Sequence, residues 1–130
     1  MLLPVMNKLC FYLCAGLALT APLFAGLRFD RSVIEATVEP GERTFPFEFV
    51  YHNDGDTPVR ITEVKASCGC TTTELESDRV EPGGSGTLSG VFHIGDRKGL
   101  QEKKVRVRTD SVDGAEVLLS LRVTIPRILS

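Results

Sequence analysis

Phe45-Pro46-Phe47-Glu48-Phe49-Val50-Tyr51 carries an aromatic ring at every second position. Side chains two apart share one face of a β-strand, whereas a helix spreads them around its circumference. The stretch therefore predicts a strand that turns Phe45, Phe47, Phe49 and Tyr51 toward a core. Pro46 falls on the other face. It has no amide hydrogen for a neighbouring strand, which predicts an edge position or a strand start.

The same period continues on both sides. Upstream, Ile34, Ala36 and Val38 alternate with Glu35, Thr37 and Glu39 before Pro40-Gly41 turns the chain. Downstream, Asn53-Asp54-Gly55-Asp56-Thr57-Pro58 is dense in turn formers. Val59 and Ile61 then share one parity, and Val64 and Ala66 the other. That switch predicts a bulge or a sheet crossing near Thr62. Leu88, Gly90, Phe92 and Ile94 form another inward set, with Ser89, Val91 and His93 facing away. Val105 and Val107 alternate with Lys104, Arg106 and Arg108, and Val117, Leu119, Leu121, Val123 and Ile125 line one face of the last and strongest strand. Val80-Glu81-Pro82-Gly83 repeats Val38-Glu39-Pro40-Gly41, each copy ahead of a strand. No stretch reads as a useful amphipathic helix. The expectation is an all-β, immunoglobulin-like β-sandwich of about seven strands, with Phe47, Phe49, Phe92, Leu119 and Leu121 in its core. The antibody-type form needs two distant cysteines and a tryptophan, and the sequence from Gly26 onward has neither.

Ahead of the sandwich, Asn7 and Lys8 close a weakly basic start, and Leu9 to Phe24 is uncharged and apolar. A membrane span wants about 20 apolar residues. This run is shorter, is broken by Pro22 and soon meets Arg28 and Asp30, so it reads as a cleaved signal peptide. We expect cleavage after Ala25, with Ala21 as second choice: residues 1–25 are the signal and 26–130 the domain. Cys14 follows Phe11-Tyr12-Leu13 rather than small residues, which argues against a lipid anchor. The mature protein is expected outside the cytoplasm, periplasmic or extracellular, with no membrane anchor after cleavage. Lys8 is the only charge in the leader, so its loss takes the formal net charge from -2 to -3. That balance offers no electrostatic attraction to nucleic acid or to an anionic membrane.

Cleavage also removes Cys10 and Cys14 and leaves Cys68-Gly69-Cys70, which excludes a disulfide-rich scaffold. Two cysteines at this spacing suit a disulfide, a pair of metal ligands or two small hydrophobes. In an extended strand they would point to opposite faces, so joint action requires a turn, which Gly69 permits because it can take positive φ. A bond across so small a loop stabilises by only about 1.6 kcal/mol in the chain-entropy model. Ring strain would also make it more oxidising than a structural bond, which suits thiol exchange.

For a metal, the added ligands would be His52 and His93, since soft thiolates with imidazoles suit Cu(I) or zinc. Both histidines lie opposite the phenylalanine faces, and nothing local ties either to Cys68. Ser67, Ser85 and Ser89 have no nucleophile motif around them. The acidic turn at Asp54 and Asp56 lacks the alternating ligands of a calcium loop. The stripe Lys103, Lys104, Arg106, Arg108 with Arg122 alternates with valines as a solvated strand face does.

Three segments together resemble a known family. They are Phe49 to Ile61 with its Asn53-Asp54-Gly55 turn, Val64-Lys65-Ala66-Ser67-Cys68-Gly69-Cys70-Thr71-Thr72, and Val80-Glu81-Pro82-Gly83-Gly84-Ser85-Gly86. This pattern resembles domain of unknown function 1573, exported bacterial proteins of immunoglobulin-like fold related to cilium- and centrosome-associated sandwich domains. The resemblance runs from about Leu27 to Ile125 and implies location and fold, with no activity attached. Combined with the residues, it leads us to expect a monomeric exported structural or protein-binding module. Its partner would dock on a sheet face or edge strand. We expect no catalytic residues and no cofactor. The alternative is a periplasmic copper- or zinc-binding or thiol-redox protein built on Cys68 and Cys70.

Overall fold

The computed structural model describes residues 26–111 and 115–127. The signal-peptide expectation, with Ala21, Ala25, Cys10 and Cys14, lies outside the described residues. Nine strands follow in chain order: β1 (Leu27–Phe29), β2 (Val33–Thr37), β3 (Thr44–Asn53), β4 (Val59–Ala66), β5 (Thr71–Leu75), β6 (Arg79–Val80), β7 (Ser85–His93), β8 (Gly99–Thr109) and β9 (Glu116–Ile125). They form a first sheet in the order β1-β3-β7-β5 and a second in the order β2-β9-β8-β4-β6. All pairs are antiparallel except β2 with β9. The result is an all-β sandwich consistent with immunoglobulin-like topology.

The nine strands correct the expectation of about seven. β1 and β6 have three and two residues, too few to display a period. In β5, Thr71-Thr72-Thr73-Glu74-Leu75 carries little apolar contrast. These short strands take their conformation from ladder bonds to longer neighbours.

β3 alternates as its rings require. Phe47, Phe49 and Tyr51 are buried and Phe45 is half-buried. Full burial of one such ring contributes about 2–3 kcal/mol. Phe92, Leu119 and Leu121 join them in the core, as expected. Opposite the rings, β7 supplies glycines: Tyr51 pairs with Gly86 and Phe47 with Gly90. A Cβ on Gly86 would stand 2.5–2.7 Å from the Tyr51 ring, and one on Gly90 would overlap Phe47 and the Thr72 carbonyl. The glycines therefore leave the space that the rings fill. β1 pairs only with Tyr51, His52 and Asn53, so among the described residues Pro46 lies in a half of β3 that has β7 alone beside it. The Ile94 N–H donates to the Arg43 carbonyl at 2.8 Å on the β7 side. Alternation then aims the Pro46 position at the open side, where no hydrogen is needed.

The parity switch in β4 is a register shift between Ile61 and Glu63. It lets Val59 and Ile61 be buried at one end while Val64 and Ala66 pack on the core at the other. The two Val-Glu-Pro-Gly copies form the same turn. The Glu42 N–H donates to the Glu39 carbonyl (3.2 Å) and the Gly84 N–H to the Glu81 carbonyl (2.8 Å). Gly41 and Gly83 hold φ of 92° and 78°, the positive value that the third residue of a type II turn requires.

Candidate functional site

Between Ala66, the last residue of β4, and Thr71, the first of β5, the chain passes from the second sheet to the first. This corner is the cysteine motif. The Ser67 N–H donates to the Lys104 carbonyl at 2.8 Å, and the Lys104 N–H donates back to Ser67 Oγ at 3.0 Å. On the other sheet, the His93 N–H donates to the Cys70 carbonyl at 2.7 Å. Across the turn itself, the Thr71 N–H donates to the Cys68 carbonyl at 3.2 Å. The corner is thus tied to both sheets by backbone bonds. Within it, Cys68 and Cys70 are joined as a disulfide with their Cα atoms 5.1 Å apart, inside the usual span of such bonds. The Cys70 N–H points at Cys68 Sγ, 3.1 Å away.

Gly69 does not use positive φ, contrary to the role expected for it. The Cys68-to-Thr71 turn closes with ordinary backbone angles, and a Cβ at Gly69 would meet nothing within 4 Å.

The structure separates the two histidines. His93 ends β7 beside Cys70, joined to it through the backbone, with its side chain exposed. His52 pairs with Ser85, whereas His93 pairs with Thr44, eight positions away along β3, or about 27 Å at strand rise. His52 Nε2 lies 2.8 Å from Asp30 Oδ1 instead. Among the described residues, no three His, Cys, Asp or Glu side chains converge as a metal cage would.

The basic stripe is spent on ion pairs, across strands except for Lys104 with Glu102 on β8 itself. Arg106 meets Glu63 (3.2 Å), Arg108 meets Glu116 (3.0 Å), Lys104 meets Glu102 (3.5 Å), and Arg122 meets Glu35 and Glu102 (both 3.4 Å). Lys103 turns toward the end of the core, its Nζ 5.7 Å from the Phe92 ring centroid.

Two features have no clear signal in the sequence. The first is Asn53, fully buried at the far end of β3. Its Nδ2 donates to the carbonyls of Thr57 (2.8 Å) and Val80 (2.9 Å), and its Oδ1 accepts the Gly55 N–H at 2.9 Å. Its own N–H donates to the Gly84 carbonyl, and its carbonyl accepts the Gly83 N–H, both at 2.9 Å. One residue thus closes two loops. Beside it, the Tyr51 hydroxyl donates to the Ser77 carbonyl at 2.7 Å. Burial, with Glu76 and Asp78 close by, raises the phenol's pKa above its usual value.

The second feature is the flank on which β4 and β5 meet. β5 is the last strand of its sheet, and β6 covers β4 only at Val59 and Arg60. Val64, Ala66, Cys70 and Leu75 are partly buried against the core along this flank. The alternation set by the Cys70–His93 and Glu76–Thr87 bonds turns the backbone groups of Thr73 and Leu75 outward, away from β7.

The family described as protein of unknown function (DUF1573) matches residues 27–125, in keeping with the motif resemblance. No curated protein matches the sequence. Among solved structures, a protein of unknown function from Porphyromonas gingivalis W83 is 16% identical with a TM-score of 0.66, over 82% of this chain and 50% of that one. This chain therefore spans half the length of that protein. The ASH/PapD-like domain 7 of human CEP192 is 16% identical with a TM-score of 0.64, over 85% of this chain and 92% of that domain. The Escherichia coli chaperone DraB is 14% identical with a TM-score of 0.58, over 82% and 58%. At these identities the likeness is one of fold.

Proposed function

This chain belongs to the DUF1573 family, and from that premise we propose that it is an exported, non-catalytic protein-binding module that takes an extended partner segment along its β4–β5 flank. The leader reading of residues 1–25, with the domain from residue 26 onward, supports export. The observation that carries the binding role is the edge of β5, which among the described residues ends its sheet with the groups of Thr73 and Leu75 directed outward. An edge strand offers main-chain hydrogen bonds to an added strand, and side pockets supply the choice of partner. Half-buried Val64, Ala66 and Leu75 give this edge an apolar margin. The open half of β3 is a poorer acceptor because Pro46 removes a donor from its middle. The likeness to a chaperone fold supports contact with other chains in kind and leaves the partner unassigned.

Copper or zinc binding is disfavoured by the geometry. Sulfurs bonded to each other are not thiolate ligands, and His52 stands about 27 Å from the corner along the sheet.

The test is site-specific photo-crosslinking in the producing cell, with a photoreactive residue at Thr73 on β5 or at Thr37 on β2. We expect adducts to concentrate at Thr73 and to fall sharply when Leu75→Asp is added. Equal yields at the two edges, or none at Thr73, would contradict the reading.

A further inference from the structure

We propose that Cys68 and Cys70 form a thiol–disulfide exchange site in which Cys68 is the attacking sulfur and Cys70 the resolving one. This goes beyond the binding role and does not depend on it. Three observations carry it.

The turn is held by hydrogen bonds besides the S–S bond. Backbone and Ser67 hydrogen bonds tie it to Lys104, to His93 and across itself, so both sulfurs stay within reach of each other when reduced. The bond closes over a single residue and constrains the unfolded chain little, so the fold opposes reduction only weakly. Finally, the two sulfurs differ. The Cys70 N–H lies 3.1 Å from Cys68 Sγ, and a donor there favours thiolate over thiol. Cys70 is packed against the core, with its sulfur 3.8 Å from Thr71 Oγ1.

The substrate class is a solvent-accessible disulfide or, in reverse, a pair of thiols. The Cys68 thiolate attacks one sulfur of the substrate disulfide. That S–S bond breaks, its outer sulfur leaves with the electron pair and takes a proton from water, and a mixed disulfide remains on Cys68. Cys70 gives its proton to solvent and attacks Cys68 Sγ, closing the Cys68–Cys70 bond and expelling the second substrate sulfur, which is protonated in turn. Two electrons and two protons pass from the protein dithiol to the substrate. One turnover consumes one dithiol, so the step is stoichiometric rather than enzymatic.

The test uses the whole purified chain with oxidised glutathione and iodoacetamide as probes. After reduction, brief alkylation near neutral pH is mapped to each sulfur by mass spectrometry. We expect Cys68 to react about tenfold faster than Cys70 or more, with an unchanged circular dichroism spectrum. With oxidised glutathione, Cys70→Ser should accumulate glutathione on Cys68, while the parent closes its own disulfide and retains none. Equal rates, a faster Cys70, a persistent glutathione adduct on the parent, or unfolding on reduction would each overturn the proposal. The parent's alkylation ratio decides the matter even where Cys70→Ser folds poorly.

Discussion

At one end of the first sheet the chain turns around a buried amide, and at the other it turns around a disulfide. Asn53 answers the loop carbonyls of Thr57 and Val80 and the Gly55 N–H with its own side chain, away from water and independent of redox conditions. The Cys68–Cys70 corner is half-exposed and carries its cross-link outside the core. Its hydrogen bonds would hold the turn even without that link. The difference divides the molecule: the Asn53 end is scaffold, and the corner with its adjoining β5 edge is where chemistry and contact can occur without loss of the fold.

The largest effect should come from the scaffold end. Asn53→Ala leaves buried carbonyls and an N–H without partners, so we expect a loss of about 3 kcal/mol in urea or guanidinium melts. A loss below about 1 kcal/mol would mean that water substitutes for the amide and would erase the contrast between the two ends. Reducing the disulfide should cost no more than about 1.6 kcal/mol, measured by the same melts with and without a thiol reductant. A larger cost would make the corner a staple.

Tyr51→Phe tests the scaffold end more finely. Losing the bond to the Ser77 carbonyl should cost about 1 kcal/mol near neutral pH. The parent should also show a specific alkaline weakness. Because burial raises the folded-state pKa of Tyr51 above 10.0, the neutral phenol stabilises the fold fully below the unfolded value, near 10. That contribution is lost as pH rises through the folded one. Melts across this window should fall more steeply for the parent than for Tyr51→Phe. Parallel curves would place the tyrosine in solvent.

The smallest effect is expected at Gly69, which has ordinary φ and open space around its missing Cβ. Gly69→Ala should lie within about 0.5 kcal/mol of the parent or slightly above it. A clear loss would show that the turn needs a conformation only glycine can take.

These expectations also mark what the chain shows locally. The rings of β3, the alternation of β9, the parity switch at Thr62 and the edge placement of Pro46 were legible because side-chain period and missing donors are local properties. β1, β5 and β6 were not, since their conformation comes from partners distant in sequence. Asn53 read as a turn former, and its burial depends on Val80 arriving 27 residues later. The nearness of His93 to Cys70, and the distance of His52, follow from the β3–β7 and β5–β7 registers, which no single strand reveals. Gly86 and Gly90 gained their meaning only when paired with Tyr51 and Phe47.

The most direct test of this division is residue-resolved amide hydrogen exchange on the oxidised and the reduced protein. In both states we expect the ladder-bonded amides of β3, β7, β8 and β9 and those of Gly55, Gly83 and Gly84 to exchange only through global unfolding, and Thr73 and Leu75 to exchange fast. Reduction should alter protection at Cys70 and its immediate neighbours alone. Loss of protection at the Asn53 end on reduction, or slow exchange at Thr73 and Leu75 in the free protein, would contradict the account.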